Sequence, residues 1–261
     1  MQKIKLLIPD LLTGLNICIG CICFILIMHV SPTTQAPHPP GALHPNYIVS
    51  AWLIVIAGLI DILDGAIARW FGKTGAFGIE FDSIADFTVF AIAPGMLIYA
   101  CFYQNHSIFF ITVLLLYVVC AAYRLARFNT SALQTSRTQL MGLGAPISAI
   151  IVVAVILLIA ELYETGAVRE ISWNTRAVIT ALMIFNSLLM ILPVEFITAY
   201  EYCFRDIRRI ILLLAAIFAP LLLLRFRLPA LSILLVGILY VAESLGRALV
   251  RRRSPATSSK S

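Results

Sequence analysis

Charged side chains are scarce in this chain: 13 Asp and Glu and 19 Lys and Arg stand among 261 residues, against 61% hydrophobic positions and a mean hydropathy of +0.97. An ordinary globular domain carries about 25% charged residues, so a water-soluble fold is excluded. Cysteine is also sparse, and Cys18, Cys21, Cys23, Cys101, Cys120 and Cys203 show no framework of extracellular spacings. Cys18, Cys21 and Cys23 form a C-x-x-C-x-C run, but no His or further Cys stands beside it to complete a metal site. The cysteines read as small core residues. His29, His38 and His44 fall in or beside the Pro-rich stretch 31–46, which lacks Lys and Arg and reads as an irregular outer connection with surface histidines. No internal repeat is visible, and the first apolar run has no small-residue cleavage site, so it reads as a retained helix.

What the chain has in abundance is apolar runs of about 20 residues, the length that crosses a bilayer as helix. They fall at roughly 11–30, 48–70, 86–103, 108–127, 146–161, 178–194, 207–224 and 229–247. The expected fold is an all-α integral membrane protein, a bundle of about eight transmembrane helices preceded by a short interfacial helix carrying Lys3 and Lys5. The net charge of +6 could point to nucleic acid, but topology explains it better. With the N-terminus inside, only Arg169, Arg176, Arg225 and Arg227 of the 19 Lys and Arg face outward. Both termini are then cytoplasmic and no nucleic-acid partner is implied. Residues 1–250 read as one transmembrane catalytic domain, and 251–261, opening with Arg251, Arg252 and Arg253, as a disordered basic tail on anionic headgroups.

Against this background, Asp61-Ile-Leu-Asp64-Gly65-Ala-Ile-Ala68-Arg69, followed by Gly78, Asp82 and Asp86, is anomalous. An aspartate at the centre of a membrane helix costs about 2.5–3.5 kcal/mol, so four unpaired ones oppose insertion by roughly 10 kcal/mol. At 100° per residue, Asp64, Gly65, Ala68 and Arg69 lie roughly −60°, +40°, −20° and +80° from Asp61, on one face of a helix. Asp82 and Asp86 stand one turn apart at the start of the next span, and the short inner loop between makes the two helices antiparallel neighbours. Their acidic faces can meet at the cytoplasmic side.

Carboxylates gathered without Cys or His are hard ligands suited to Mg²⁺ or Mn²⁺, and one or two such ions would cancel most of the charge. Magnesium keeps open positions that phosphate oxygens fill, and Arg69 beside the carboxylates is a further phosphate donor. Gly65 and Ala68 leave room for a group to approach the helix backbone. The residues point to metal-assisted phosphoryl chemistry on an amphiphilic substrate. A cation-coupled transporter is the competing class. The acidic residues sit at one membrane face, however, and no inverted repeat accompanies them.

Asp61-x-x-Asp64-Gly65-x-x-Ala68-Arg69, eight residues, Gly78, three residues, Asp82, three residues, Asp86 resembles the signature of the CDP-alcohol phosphatidyltransferases, with every fixed position and gap present. The resemblance implies that Asp61, Asp64, Asp82 and Asp86 hold two Mg²⁺ or Mn²⁺ ions and that Asp86 is also the general base on the acceptor hydroxyl. It implies that Gly65, Ala68 and Arg69 hold the cytidine diphosphate, with Thr74 and Gly78 assisting. The wording Phe81-Asp82-Ser83-Ile-Ala85-Asp86, Ala93-Pro94, Arg124-Leu-Ala-Arg127-Phe128-Asn129 and Pro9…Thr13…Asn16…Gly20 is similar to the phosphatidylserine synthase branch. That similarity adds Pro9, Thr13 and Asn16 to the expected CDP-diacylglycerol contacts. It makes Arg124, Arg127 and Asn129 candidates for the serine carboxylate or a phosphate.

The expected partners are CDP-diacylglycerol, serine, membrane lipids and, from resemblance alone, a second copy of the chain. Choline, glycerol 3-phosphate or an inositol compound are the alternative acceptors. Asp10 stands where the branch usually has Asn, and Met141-Gly-Leu-Gly-Ala-Pro146 keeps its Gly-Leu-Pro pattern only in part. A serine synthase of the unrelated phospholipase D type would need His-x-Lys pairs, and none of the four His is followed by Lys two residues on.

Overall fold

The computed structural model describes residues 2–30, 43–70, 76–103, 108–134, 142–194, 196 and 229–253. Among them every regular element is helical. The elements are α1 (Gln2–Met28), α2 (Pro45–Trp70), α3 (Ala76–Asp86), a π-helical turn (Phe87–Ile92), α4 (Ala93–Ile98) and a second π-helical turn (Tyr99–Tyr103). They continue with α5 (Ile108–Gln134), α6 (Ala145–Glu164), α7 (Trp173–Ile191) and α8 (Pro229–Arg253). The third span is one continuous rod built from α3, α4 and the two π turns.

Seven helices among the described residues are long and apolar enough to cross a membrane: Pro9–Met28, Pro45–Gly65, Phe77–Tyr103, Ile108–Thr130, Ala145–Glu164, Trp173–Ile191 and Pro229–Arg247. They answer seven of the expected spans, and the chain is an integral membrane protein; the expected span 207–224 lies outside the described residues. Two boundaries differ from expectation. The N-terminal stretch continues without a break into the first span as α1, with Pro9 inside it, rather than forming a separate interfacial helix. The third span begins at Phe77, so Asp82 and Asp86 lie within it rather than at its mouth. Within α1 the side chain of Thr13 donates to the Pro9 carbonyl one turn back at 3.0 Å. The tail is helical as far as Arg253, and 254–261 lie outside the described residues.

Polarity is sorted as a lipid solvent requires. Leu11, Ile25, Met28, Leu59, Leu63, Val119 and Phe185 are exposed, whereas Thr13, Asn16, Ser50, Asp64, Asp86, Arg124, Ser148 and Asn186 are buried. Cys18 and Cys21 also face outward, while Cys23 and Cys120 are buried. Helix α6 is the hub: it packs on α2, on α8 and on the first π turn, and Val152, Val153, Ala154 and Ile156 are fully enclosed. Gly20 lets α1 approach the third span closely, since a Cβ there would stand 3.0 Å from Thr88 Cγ2 and 3.1 Å from Val89 Cγ2.

The first π turn has a local cause. Pro94 has no N–H to return to the carbonyl of Phe90 four residues back, and Ala93 N–H reaches Thr88, five residues back. The Tyr117 hydroxyl from α5 donates to that Phe90 carbonyl at 3.1 Å. A backbone acceptor that would otherwise be buried in apolar surroundings is thereby satisfied.

Candidate active site

The acidic residues converge as helical phase requires. Asp61 and Asp64, one turn apart on α2, meet Asp82 of α3, and each offers a carboxylate oxygen within 4.8 Å of the others. That spacing fits oxygens shared by one divalent cation, and an all-oxygen set with no His or Cys suits a hard ion. Asp86 lines the same cavity and is buried, but is not one of these three. Asp64, also buried, is held from a third helix: the Thr13 hydroxyl lies 3.0 Å from Asp64 Oδ2 as well as from the Pro9 carbonyl. Thr13 has a single O–H, shared between an i−4 carbonyl and the carboxylate, so α1 orients a candidate ligand.

The carboxylates open into a cavity of about 200 Å³. From α2 come Gly58, Asp61, Asp64 and Gly65, and from α3 Asp82, Ser83 and Asp86. Helix α5 adds Arg124, Leu125 and Phe128, the connection before α6 adds Gly142 and Gly144, and Phe196 and Tyr240 close the lining. Arg124 is only 5% exposed, far too little for a surface anchor. Its guanidinium carbon lies 5.6 Å from the centroid of the Phe128 ring. Its Nε is buried with no hydrogen-bond partner among the described residues. A buried cation is costly unless charge compensates it, and here four carboxylates share its cavity. The cavity thus sets a buried guanidinium beside an acidic group able to hold a cation.

The other expected residues fall in several places. Asn129 ties two helices together: it accepts from Ser83 Oγ at 2.9 Å and donates to Glu80 Oε2 at 3.2 Å. Arg127 is half-buried and does not line the cavity; it donates to the carbonyls of Ile191 at 3.0 Å and Met190 at 3.3 Å. Asn16, 2% exposed, has a buried Oδ1 with no partner among the described residues. Pro9 is buried beside Thr13, and Gly78 is a half-buried position of α3 that does not line the cavity. Ala68 and Arg69 continue α2, but their side chains, like all of Thr74, lie outside what the structure describes.

Tyr240, Phe196, Phe128 and Gly142 were not foreseen as lining. Tyr240 and Phe196 are aromatic positions in apolar surroundings with nothing in their local sequence to separate them from packing residues. Gly142 had a signal in the Met141–Pro146 run.

A family model described as CDP-alcohol phosphatidyltransferase matches residues 6–192. The chain is 30% identical over 180 residues to the CDP-diacylglycerol–serine O-phosphatidyltransferase of Helicobacter pylori, covering 59% of this chain and 76% of that protein. It is 33% identical over 159 residues to the protein of the same name from Mycobacterium leprae, covering 58% of this chain and 47% of the relative. It is 31% identical over 193 residues to the archaetidylserine synthase of Methanothermobacter thermautotrophicus, covering 72% and 69%.

Proposed function

The chain belongs to the CDP-alcohol phosphatidyltransferase family, and on that premise we propose that this membrane enzyme transfers the phosphatidyl group of CDP-diacylglycerol to the hydroxyl of L-serine. The names of the bacterial and archaeal relatives support serine as the acceptor. The observation that carries the reading is the cavity itself. Its clustered carboxylates and buried, under-satisfied Arg124 are what a diphosphate with its counter-cation and an acceptor bearing a carboxylate need side by side.

Asp61, Asp64, Asp82 and Asp86 would hold divalent metal, with Mg²⁺ or Mn²⁺ in two positions as the proposed cofactor. When bound, such ions supply charge stabilisation to the diphosphate and to the departing CMP. The chain's own residues do the rest. Gly65, Ala68 and Arg69 hold the cytidine diphosphate, with Pro9, Thr13, Asn16, Thr74 and Gly78 around it. Arg124 receives the serine carboxylate, setting the hydroxyl toward the phosphorus that bears diacylglycerol. Asp86, lying outside the three-carboxylate group, takes the hydroxyl proton. The serine oxygen forms its bond to phosphorus as the bond to the CMP oxygen breaks, giving phosphatidylserine and CMP. Burial keeps water away from the same phosphorus.

The active face and both termini are proposed to be cytoplasmic, in the cell membrane, a reading supported by the distribution of Lys and Arg. Residues 1–250 form the catalytic unit in this reading, with 251–261 a basic tail at the headgroups, and the enzyme works as a homodimer without nucleic acid. The test is CMP release by purified protein supplied with CDP-diacylglycerol, Mg²⁺ or Mn²⁺, and serine, choline, inositol or glycerol 3-phosphate in turn. Release with serine alone is expected; release with none of the four overturns the proposal.

A further inference from the structure

Arg124 and Arg127 lie three residues apart on α5, yet only the first lines the cavity. Arg127 reaches the last turn of α7, where carbonyl groups lack intrahelical partners and a positive charge suits the helix dipole. Nη1 donates to Ile191 and Nη2 to Met190. The same helix end is bound by the connection between α5 and α6. Gly142 N–H donates to the Val194 carbonyl at 2.9 Å and Leu143 N–H to the Leu189 carbonyl at 3.0 Å.

Gly142 has φ +84°, and a Cβ there would lie 2.1 Å from the Met190 carbonyl oxygen and 2.9 Å from Arg127 Nη2. Only glycine fits both that backbone and that space. Three segments therefore interlock around the end of α7, and one side of the junction is cavity lining. Gly142 and Gly144 line the cavity themselves, Phe196 lies two residues beyond Val194, and Arg124 and Phe128 flank Arg127 on α5.

We propose that Arg127 is a positioning residue for the acceptor: by holding the end of α7, to which the Gly142 and Leu143 backbone is bonded, onto α5 it fixes the surface against which the acceptor is held beside Arg124. This rests on the acceptor reading of the same cavity. The clamp touches none of Asp61, Asp64 and Asp82, so its loss falls on the acceptor and spares the nucleotide lipid. A residue that only stabilised the bundle would lower activity toward both substrates together.

The experiment uses full-length Arg127→Ala and Arg127→Lys in detergent or nanodiscs, measuring CMP release against each substrate and the thermal midpoint. The expected result for Arg127→Ala is a rise of about tenfold in the KM for serine, in line with the loss of charge-assisted hydrogen bonds, with the KM for CDP-diacylglycerol within about twofold of wild type. Arg127→Lys keeps the charge but cannot span both carbonyls, so it should fall between the two. Equal loss for both substrates, or an unchanged serine KM, overturns the proposal. If Arg127→Ala does not fold, Arg127→Lys decides on the same split. Should wild type release CMP with a different acceptor, the serine reading fails, while the same KM split measured with that acceptor still decides the role of Arg127.

Discussion

Two parts of the cavity lining are built by different means. The carboxylate part is made of side chains projecting from the continuous helices α2 and α3, and their positions follow from helical phase. The part made by Gly142 and Gly144 has no side chains, and its shape is set by backbone bonds to Leu189 and Val194 and by the Arg127 clamp. Arg124 stands between them in kind: a side chain on a regular helix, whose burial leaves one donor unmet. The contrast separates two sensitivities. Replacing a side chain in the first part deletes a group that takes part in chemistry, whereas a change in the second moves a surface.

The largest effect should come from removing metal. Chelation with EDTA is expected to stop CMP release and excess Mg²⁺ or Mn²⁺ to restore it; activity that survives chelation would detach the acidic group from any metal role. Next, Asp86→Asn keeps the shape and removes the base, and turnover should fall by about 10²–10⁴-fold, the usual worth of general-base catalysis. CDP-diacylglycerol binding should persist in that variant. If binding disappears with turnover, Asp86 belongs with substrate anchoring.

A third test addresses the boundary between the two parts. Arg124→Gln removes a charged donor worth about 1.5–3 kcal/mol, so the serine KM should rise by roughly 10–150-fold with little change for the nucleotide lipid. Unchanged serine kinetics would return Arg124 to the role of a structural cation. The smallest effect is expected at Thr13, whose hydroxyl supports the carboxylate of Asp64. Thr13→Val should raise the metal concentration for half-maximal activity by about tenfold, the lower end of what such supporting hydrogen bonds contribute. Thr13→Ser should restore it, and equal defects in both would show that packing, not the hydroxyl, matters.

The carboxylate part was legible in the sequence because four aspartates in apolar spans violate the expectations of a membrane helix, and because helical phase is strict enough to gather them. The start of the third span was not. Glu80 and Asp82 lower the local hydropathy, so an apolar run is cut too late, whereas the helix that carries the span is continuous from Phe77 to Tyr103. Arg127 shows a different limit. Its carbonyl partners lie 63 and 64 residues further along the chain. Nothing local distinguishes a clamp from the cavity-lining Arg124 beside it. Tyr240 is equally silent, since a tyrosine on an apolar helix signals burial but not what it is buried against.

The π-helical turn that begins directly after Asp86 carries a consequence for how this span tolerates change in length. Its wider pairing absorbs the equivalent of one extra residue within the turn, so the flanking helical segments keep their faces although the count between them is one residue longer. Deleting a single residue between Phe87 and Ile92 would let ordinary pairing run through with the two halves close to their present phase, whereas a deletion in the regular turns on either side would swing them against each other by about 100°. A deletion in those regular turns would cost about 1.5 Å of length but turn the aspartates away from Asp61 and Asp64. In this span rotational phase, not length, is the quantity that must be preserved.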